Sequence, residues 1–549
     1  MTHSSRQQHR ALIVSTFCAS LLVLFTWTAS QQFKGHRAQG VATREEKAGS
    51  NQTRAEPTAN RSVEPPVVSN SRAAVELGRR IDETIRESEF ARAHWGVFVM
   101  SLKDRRVLYA RNPEKLFTPA SNMKVYTTAP ALDLLGADYR WRTSVYADRE
   151  QDQSGTINGD LVLYGRGAPN LSSREQRDEP NHLAALADEL YKRGVRRVEG
   201  GVVGDESYLK GEALGDGWLW NDIQWYFGAE VSALTINSNE ATLTITPAAK
   251  SGEAATLKLN TSAENFRLIN DTNTAAGGTA LTIGVTRGLS DNEVRVWGDF
   301  PAGGRSYNVR LSVHKPALWA ARLFREALRA RGITVEGEAR TRDARVSEKE
   351  KFNLERAVEL ASVTSKTLGE IARETNKQSL NLQAELILRT LGKERGADAP
   401  DPDPVRMRIR GDDQAGVAVV RQWLERAGVP TRDLALHDGS GLSRLDLVSP
   451  EATARLLAAM SESKAGQAFR DSLPIAGRDG TLSGRLRSAA GRILAKTGTL
   501  TYTNSLSGYA TTADGETLAF AIICNDETTK ASSTVAIDAI AVLLANYRE

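Results

Sequence analysis

Between about residues 141 and 345 the sequence changes texture, and that change limits the folds open to it more than any other feature. Short runs there alternate apolar and polar residues: "GDLVLYG", "ATLTITPAA", "ATLKLN", "ALTIGV", "EVRVWGDF" and "YNVRLSV". A period of two puts every second side chain on one sheet face, so each run reads as a short strand. Only two helical patterns interrupt them, near 181–193 and 316–331, and each ends in a similar phrase, "RGVRRVEG" and "RGITVEGE". Two echoes are too few for a repeat architecture.

The flanks are patterned differently. A helix, "AAVELGRRIDETIRES", and two strands joined by a charged turn, "HWGVFVMSLKDRRVLYARNP", come before. After about 350 come three helical patterns, "TSKTLGEIARETN", "LNLQAELILRTLG" and "GVAVVRQWLERAG". The chain then closes on "RILAKTGTLTYTNSLSGYATTADGETLAFAIIC", with "ADGE" as a turn, and a last helix. A hairpin that opens the ordered chain can pair with strands that close it. The expected fold class is α/β, an antiparallel sheet flanked by helices and interrupted by a large β-rich insertion. The expected segments are 73–140 and 346–549 for the two parts of the core, with 141–345 as inserted lobes.

At the N-terminus, Arg6 and Arg10 precede the apolar run "ALIVSTFCASLLVLFTWTAS". Residues 1–30 therefore read as a signal peptide cleaved near Ala29 or Ser30, or as a retained membrane anchor. Residues 31–72 are polar, charged and nearly free of aromatics, the composition of a disordered tether. Export follows, with membrane contact only through the N-terminal segment if it stays uncleaved. A net charge of +4 over 549 residues, spread along the chain, gives no case for nucleic-acid binding. Cys18 lies in the apolar leader and Cys524 in an apolar strand, so no disulfide framework is expected. The seven histidines are scattered without ligand spacing, so no metal and no cofactor is expected.

Chemistry enters at "TPASNMK", where Ser121 and Lys124 stand three residues apart on a helical pattern and share a face. The S-x-x-K spacing recurs at Ser207/Lys210, Ser312/Lys315 and Ser461/Lys464, so it needs company. "KTGT", Lys496–Thr499, occurs once and on a strand pattern. An S-x-N element occurs at Ser290–Asn292, Ser306–Asn308 and Ser379–Asn381. The first two border strands of the insertion; the third lies where two helical patterns of the core meet, and is preferred. Together the three elements supply a serine nucleophile, a base, a proton relay and a cation for an anionic group, without a histidine. "HDGSG" at 437–441 packs three polar groups into four residues, too close for a triad, and reads as a loop beside the site. Trp218, Trp220, Trp225 and Tyr226 read as core or interface aromatics.

In chain order the phrases "TPASNMK", "GRGAPNLS", "WLWNDIQWYFGAEVSALTINSNE", "NKQSLNLQAE", "HDGSGLSRLDLVSP", "LPIAGRDGTLSGR" and "KTGTL" resemble the D-alanyl-D-alanine carboxypeptidase/endopeptidase family, the low-molecular-mass class C penicillin-binding proteins. The resemblance spans about 85–545 and implies a serine β-lactamase/DD-peptidase-like α/β sandwich with its insertion between the S-x-x-K and S-x-N motifs. By that resemblance Ser121 is the acylated nucleophile and Lys124 its general base. Ser379 and Asn381 continue the proton path, Lys496 and Thr497 hold a terminal carboxylate, and the backbone N–H groups of Ser121 and Thr499 form the oxyanion hole. The implied partners are peptidoglycan peptides ending in D-Ala-D-Ala as substrate and β-lactams as inhibitors, in the periplasm or cell envelope. Leu380 stands where that family usually has a polar residue, and Arg166 and Ala168 replace the residues usual in its glycine-rich turn. Two other readings use the same residues. A β-lactamase or esterase would turn penicillin over fast; a catalytically silent wall-binding protein fits poorly with every reacting group in place.

Overall fold

A computed structural model describes residues 67–175, 180–261, 265–345, 352–396, 411–528 and 531–549. The expected leader, 1–30, and most of the tether, 31–72, lie outside the described residues. No described helix is long and apolar enough to cross a membrane.

The opening hairpin and the closing strands form one five-stranded antiparallel sheet. Its order is Ile493–Leu500, Thr503–Thr511, Thr517–Asn525, His94–Ser101, Val107–Arg111. Trp95 stands opposite Cys524 and Met100 opposite Ala519, so the two ends of the chain are joined by a full ladder. The "ADGE" turn links Thr511 to Thr517 as expected.

Both faces of this sheet are covered, which explains why Thr517–Asn525 reads as an unbroken apolar run. Alternate residues divide between two cores. Leu518, Phe520, Ile522 and Cys524 face the first and last helices, Arg72–Glu87 and Thr534–Ala545, together with Ile81, Ile85, Ile537 and Ile540. Ala519 and Ile523 face the larger helical side, with Phe98, Tyr126, Ile387, Leu424 and Leu457. The helices on that side include Met123–Leu135, Leu368–Gln378, Asn381–Arg395, Asp412–Arg426 and Pro450–Glu462. This is the α/β sandwich expected from the sequence.

The middle of the chain builds its own core around Val145, Leu163, Val202, Leu243, Val296, Leu311 and Phe324. Its largest sheet has the order Ala339–Arg342, Val202–Asp205, Leu161–Tyr164, Arg142–Ala147, Val358–Thr364. None of these strands pairs with the five-stranded sheet above. The two echoed phrases lie side by side: Thr334 and Val335 pair in parallel with Arg197 and Val198.

Two details differ from the sequence reading. Val358–Thr364, numbered within the second core segment, pairs antiparallel with Arg142–Ala147, so its hydrogen bonds belong to the inserted sheet. Its half-buried "VELASVT" lacks a distinctive alternation, and only its partner strand identifies it. The strand expected in "ALTIGV" begins at Gly284 and runs to Arg287, because its partners lie on Glu293–Pro301 from Trp297 back to Val294.

Candidate active site

Three contacts seat the segment before Ser121, two of them on the five-stranded sheet and one on the stretch leading into the helix Pro450–Glu462. Thr118 N–H donates to Asn525 Oδ1 at 2.8 Å, Phe117 N–H to the Val448 carbonyl at 2.9 Å, and Ser505 Oγ to the Pro119 carbonyl at 2.7 Å. Ser121 then sits in a single 3-10 turn, Ala120–Asn122, and the α-helix begins at Met123. Lys124 lies in the first turn of that helix, three residues on from Ser121, so the two side chains share a face. Lys124 Nζ lies 2.9 Å from Ser121 Oγ.

Two glycines make this approach possible. Gly441, at φ +79°, lies so close that a Cβ would stand 1.8 Å from the Ala120 carbonyl oxygen. At Gly498 a Cβ would stand 2.2 Å from Ser505 Oγ and 2.7 Å from the Pro119 carbonyl oxygen. The "HDGSG" loop and the "KTG" strand therefore both press on the turn that carries Ser121.

Lys124 is fully buried and has two further partners, Asn381 Oδ1 and the Ser440 carbonyl, both at 2.7 Å. Burial lowers its pKa to about 7, against the pull of Asp438, Glu385 and Asp446. A neutral amine has two hydrogens and one lone pair. With the hydrogens given to Asn381 and Ser440, the lone pair is left for the Ser121 hydroxyl. The arrangement suits proton removal from a serine nucleophile.

A second buried lysine completes the cleft. Lys496 Nζ lies 3.0 Å from Ser379 Oγ and 2.8 Å from the Thr497 carbonyl. Burial, and after it the charge of Lys124, push its pKa well below the ordinary lysine value. Ser379 ends the helix Leu368–Gln378 in the left-handed region, at φ 58° and ψ 45°. That conformation costs a non-glycine residue energy and lets the chain turn abruptly into the next helix. Thr497 Oγ1 lies 2.7 Å from Thr481 Oγ1, and exposed Thr499 donates through Oγ1 to Asn504 Oδ1 at 2.9 Å.

The structure thus gathers Ser121, Lys124 and Asn381 into one hydrogen-bonded group and Ser379, Lys496 and Thr497 into another, with Thr499 further along the same strand. The alternative pairs go elsewhere. Asn292 is spent on the backbone of His314, accepting from its N–H at 2.8 Å and donating to its carbonyl at 3.0 Å. Asn308 accepts from Thr244 at 2.7 Å. Ser312 donates to the Ile223 carbonyl, and Ser461 to that of Ala458. His437 faces Asp216 at 3.3 Å, away from Ser440, so "HDGSG" forms no triad.

Sequence reasoning missed Thr481, the Ser440 carbonyl and the buried carboxylates of Glu385, Asp438 and Asp446. Their phrases stood out, but nothing in them signals which backbone atom meets Lys124. The aromatic run divides between half-buried and exposed positions. Trp220 is 73% exposed and Tyr226 38%, so neither belongs to a core; Tyr226 lies under the Arg310 guanidinium, 3.7 Å from the ring centre. Trp218 donates through Nε1 to Asp438 at 2.9 Å, and Trp225 packs against the inserted core. From the same run, the Phe227 carbonyl accepts from Asn381 Nδ2 at 2.9 Å.

Residues 77–547 match the D-Ala-D-Ala carboxypeptidase 3 (S13) family. A D-alanyl-D-alanine carboxypeptidase of Actinomadura sp. (strain R39) is 35% identical over 492 residues, covering 86% of this chain and 85% of that protein. The D-alanyl-D-alanine carboxypeptidase DacB of Haemophilus influenzae is 25% identical over 440 residues, covering 79% and 86%. The crystal structure of penicillin binding protein 4 from Haemophilus influenzae superposes with a TM-score of 0.71 at 24% identity, over 85% of this chain and 99% of that one, and so shares its fold.

Proposed function

The chain belongs to the D-Ala-D-Ala carboxypeptidase 3 (S13) family and is a serine-type D-alanyl-D-alanine carboxypeptidase; from that premise we propose how its residues divide the reaction. Ser121 Oγ attacks the carbonyl carbon between the two D-Ala residues of a peptidoglycan stem peptide. Lys124 takes the hydroxyl proton, and the carbonyl oxygen gathers charge against the backbone N–H groups of Ser121 and Thr499. The proton passes from Lys124 by way of the Ser379 hydroxyl to the nitrogen of the leaving D-Ala, which departs as an amine, while Asn381 Oδ1 accepts from the Lys124 amine and keeps it on that path. An acyl-serine remains. Water, activated by the same lysine, hydrolyses it and restores Ser121.

Lys496 and Thr497 hold the free carboxylate of the terminal D-Ala. Burial disfavours the charged form of Lys496 and an incoming carboxylate favours it, so substrate and lysine stabilise each other's ionised form. β-Lactams take the same place and leave a stable acyl-serine. The same attack on a cross-link gives DD-endopeptidase activity, and the apolar N-terminal run carries the chain across the cytoplasmic membrane to the cell envelope.

The observation that carries this reading is the three-way coordination of the Lys124 amine by Ser121, Asn381 and the Ser440 carbonyl. The test is incubation with a short peptide ending in D-Ala-D-Ala, with D-Ala release followed by mass spectrometry. Release of a single D-Ala supports the assignment. Rapid turnover of penicillin without any D-Ala release would instead make the protein a β-lactamase.

A further inference from the structure

Three successive backbone N–H groups of the loop beside Lys124 end on buried carboxylates. Gly439 N–H lies 3.1 Å from both oxygens of Glu385, and Ser440 N–H donates to Glu385 Oε1 at 2.9 Å. Gly441 N–H donates to Asp438 Oδ1 at 2.7 Å. The far side of the loop is held as well, because Thr127 Oγ1 donates to the Gly439 carbonyl at 2.7 Å.

Peptide planarity turns these contacts into an orientation. In a trans peptide the N–H and C=O of one unit point opposite ways. The unit whose N–H meets Asp438 also carries the Ser440 carbonyl, which therefore points away from Asp438 and onto Lys124. Glu385 fixes the two units before it. Glu385 also stands one helical turn after Asn381, on the same face, so one helix delivers both a direct and an indirect contact to the Lys124 amine.

We propose that Glu385 is a positioning residue for acylation: its side chain holds the loop 438–441 so that the Ser440 carbonyl takes a Lys124 hydrogen. This rests on reading Ser121 as nucleophile and Lys124 as base. The ionisable groups around Lys124 are Glu385 from its helix, Asp438 and Asp446 from the loop, and Lys496 from the "KTG" strand; Arg389 stands near Glu385 on the same helix. Burial, then Asp438, push the Glu385 carboxyl up to about 8, so carboxylate and amine change charge over the same pH range.

The experiment is acylation by a fluorescent penicillin, measured as a second-order rate across pH, on the parent and on Glu385→Gln. Peptide mapping of the parent comes first: an adduct away from Ser121 overturns the site and this inference with it. With the adduct on Ser121, Glu385→Gln lowers the plateau rate about tenfold or more and moves the acid limb to lower pH, because the ionised fraction of Glu385 no longer supports the ammonium form. A parent-like plateau or an unmoved acid limb overturns the inference alone. Should Glu385→Gln yield no folded chain, Glu385→Asp decides: it keeps the charge but not the reach, so the acid limb stays in place and the plateau falls, whereas a parent-like plateau overturns the proposal.

Discussion

Lys124 Nζ and Asn381 Oδ1 lie 2.7 Å apart although 257 positions separate the two residues in sequence. The chain between them leaves the catalytic core after the helix Met123–Leu135, builds a second core of its own and returns to Leu368–Gln378. The contact therefore depends on a loop closed by a folded body. Closing a flexible segment of that length would cost entropy each time; a folded insertion holds its two ends in place.

Penicillin is expected to form its covalent adduct on Ser121, the serine whose hydroxyl meets the buried Lys124 amine. Tryptic mapping after acylation checks this. Ser121→Ala should lose both the adduct and D-Ala release while keeping its melting temperature. An adduct on Ser207, Ser312, Ser440 or Ser461 would remove the assignment.

The rate of acylation should rise about tenfold per pH unit below about 7 and level off above it, because Lys124 acts as a base only when neutral and burial lowers its pKa to about 7. The sign follows from the direction of the shift: a lowered lysine pKa extends the neutral form down to neutral pH. Stopped-flow acylation across pH measures it. A limb near the ordinary lysine value would mean that Lys124 is charged at neutral pH and serves another role.

Ser379→Ala should slow acylation by roughly a hundredfold, the scale of a lost proton-transfer group. Ser290→Ala should leave it unchanged, since its Ser-Asp-Asn segment lies in the insertion with Asn292 bound to the His314 backbone. The two single mutants assayed side by side decide between them, and the reverse order of effects would move the relay to the insertion.

Lys496→Ala should weaken turnover of peptides ending in D-Ala-D-Ala far more than turnover of their C-terminal amides. A charge-assisted hydrogen bond to a carboxylate is worth about 1.5–3 kcal/mol, or one to two decades in kcat/KM. Equal losses on both substrates would mean that Lys496 serves Ser379 and the proton path instead.

Gly441→Ala should damage the site through the backbone. Its φ of +79° and a Cβ 1.8 Å from the Ala120 carbonyl oxygen leave no room for the methyl group. A cost of about 2 kcal/mol or more is expected, with a lower melting temperature and slower acylation together. Calorimetry alongside penicillin labelling checks both. Full activity at a parent-like melting temperature would show that the loop yields without disturbing Ser121.

Much of this was readable before any coordinates. The sheet was, because a hairpin at one end and apolar strands at the other have few ways to bury their faces, and Trp95 opposite Cys524 is the result. The rarity of "KTGT" and the position of Ser379 outside the strand-rich segment were enough to select the residues that meet in space. Val358–Thr364 was not readable, because strand partnership is a property of two segments and its own half-buried sequence is neutral. Nor was Ser440: its contribution is a carbonyl, which every residue possesses, aimed by two carboxylates that look like ordinary acids in the sequence. Trp220 lies outside any core, which its sequence could not show, because aromatic type alone does not say which side of a loop meets water.

The hydrogen bond from the Asn381 amide to the Phe227 carbonyl means that the inserted body is no detachable cassette. An amide side chain turned by half a revolution exchanges its oxygen for nitrogen while keeping its shape. Phe227 sets which way Asn381 faces, so that oxygen, and not a second donor, meets Lys124. A shortened enzyme in which a brief linker replaces the insertion would retain every reacting side chain, yet lose the polarity that keeps one of them in register. Minimal versions of this catalyst therefore have to import a carbonyl at that place, or accept an asparagine free to face the wrong way round.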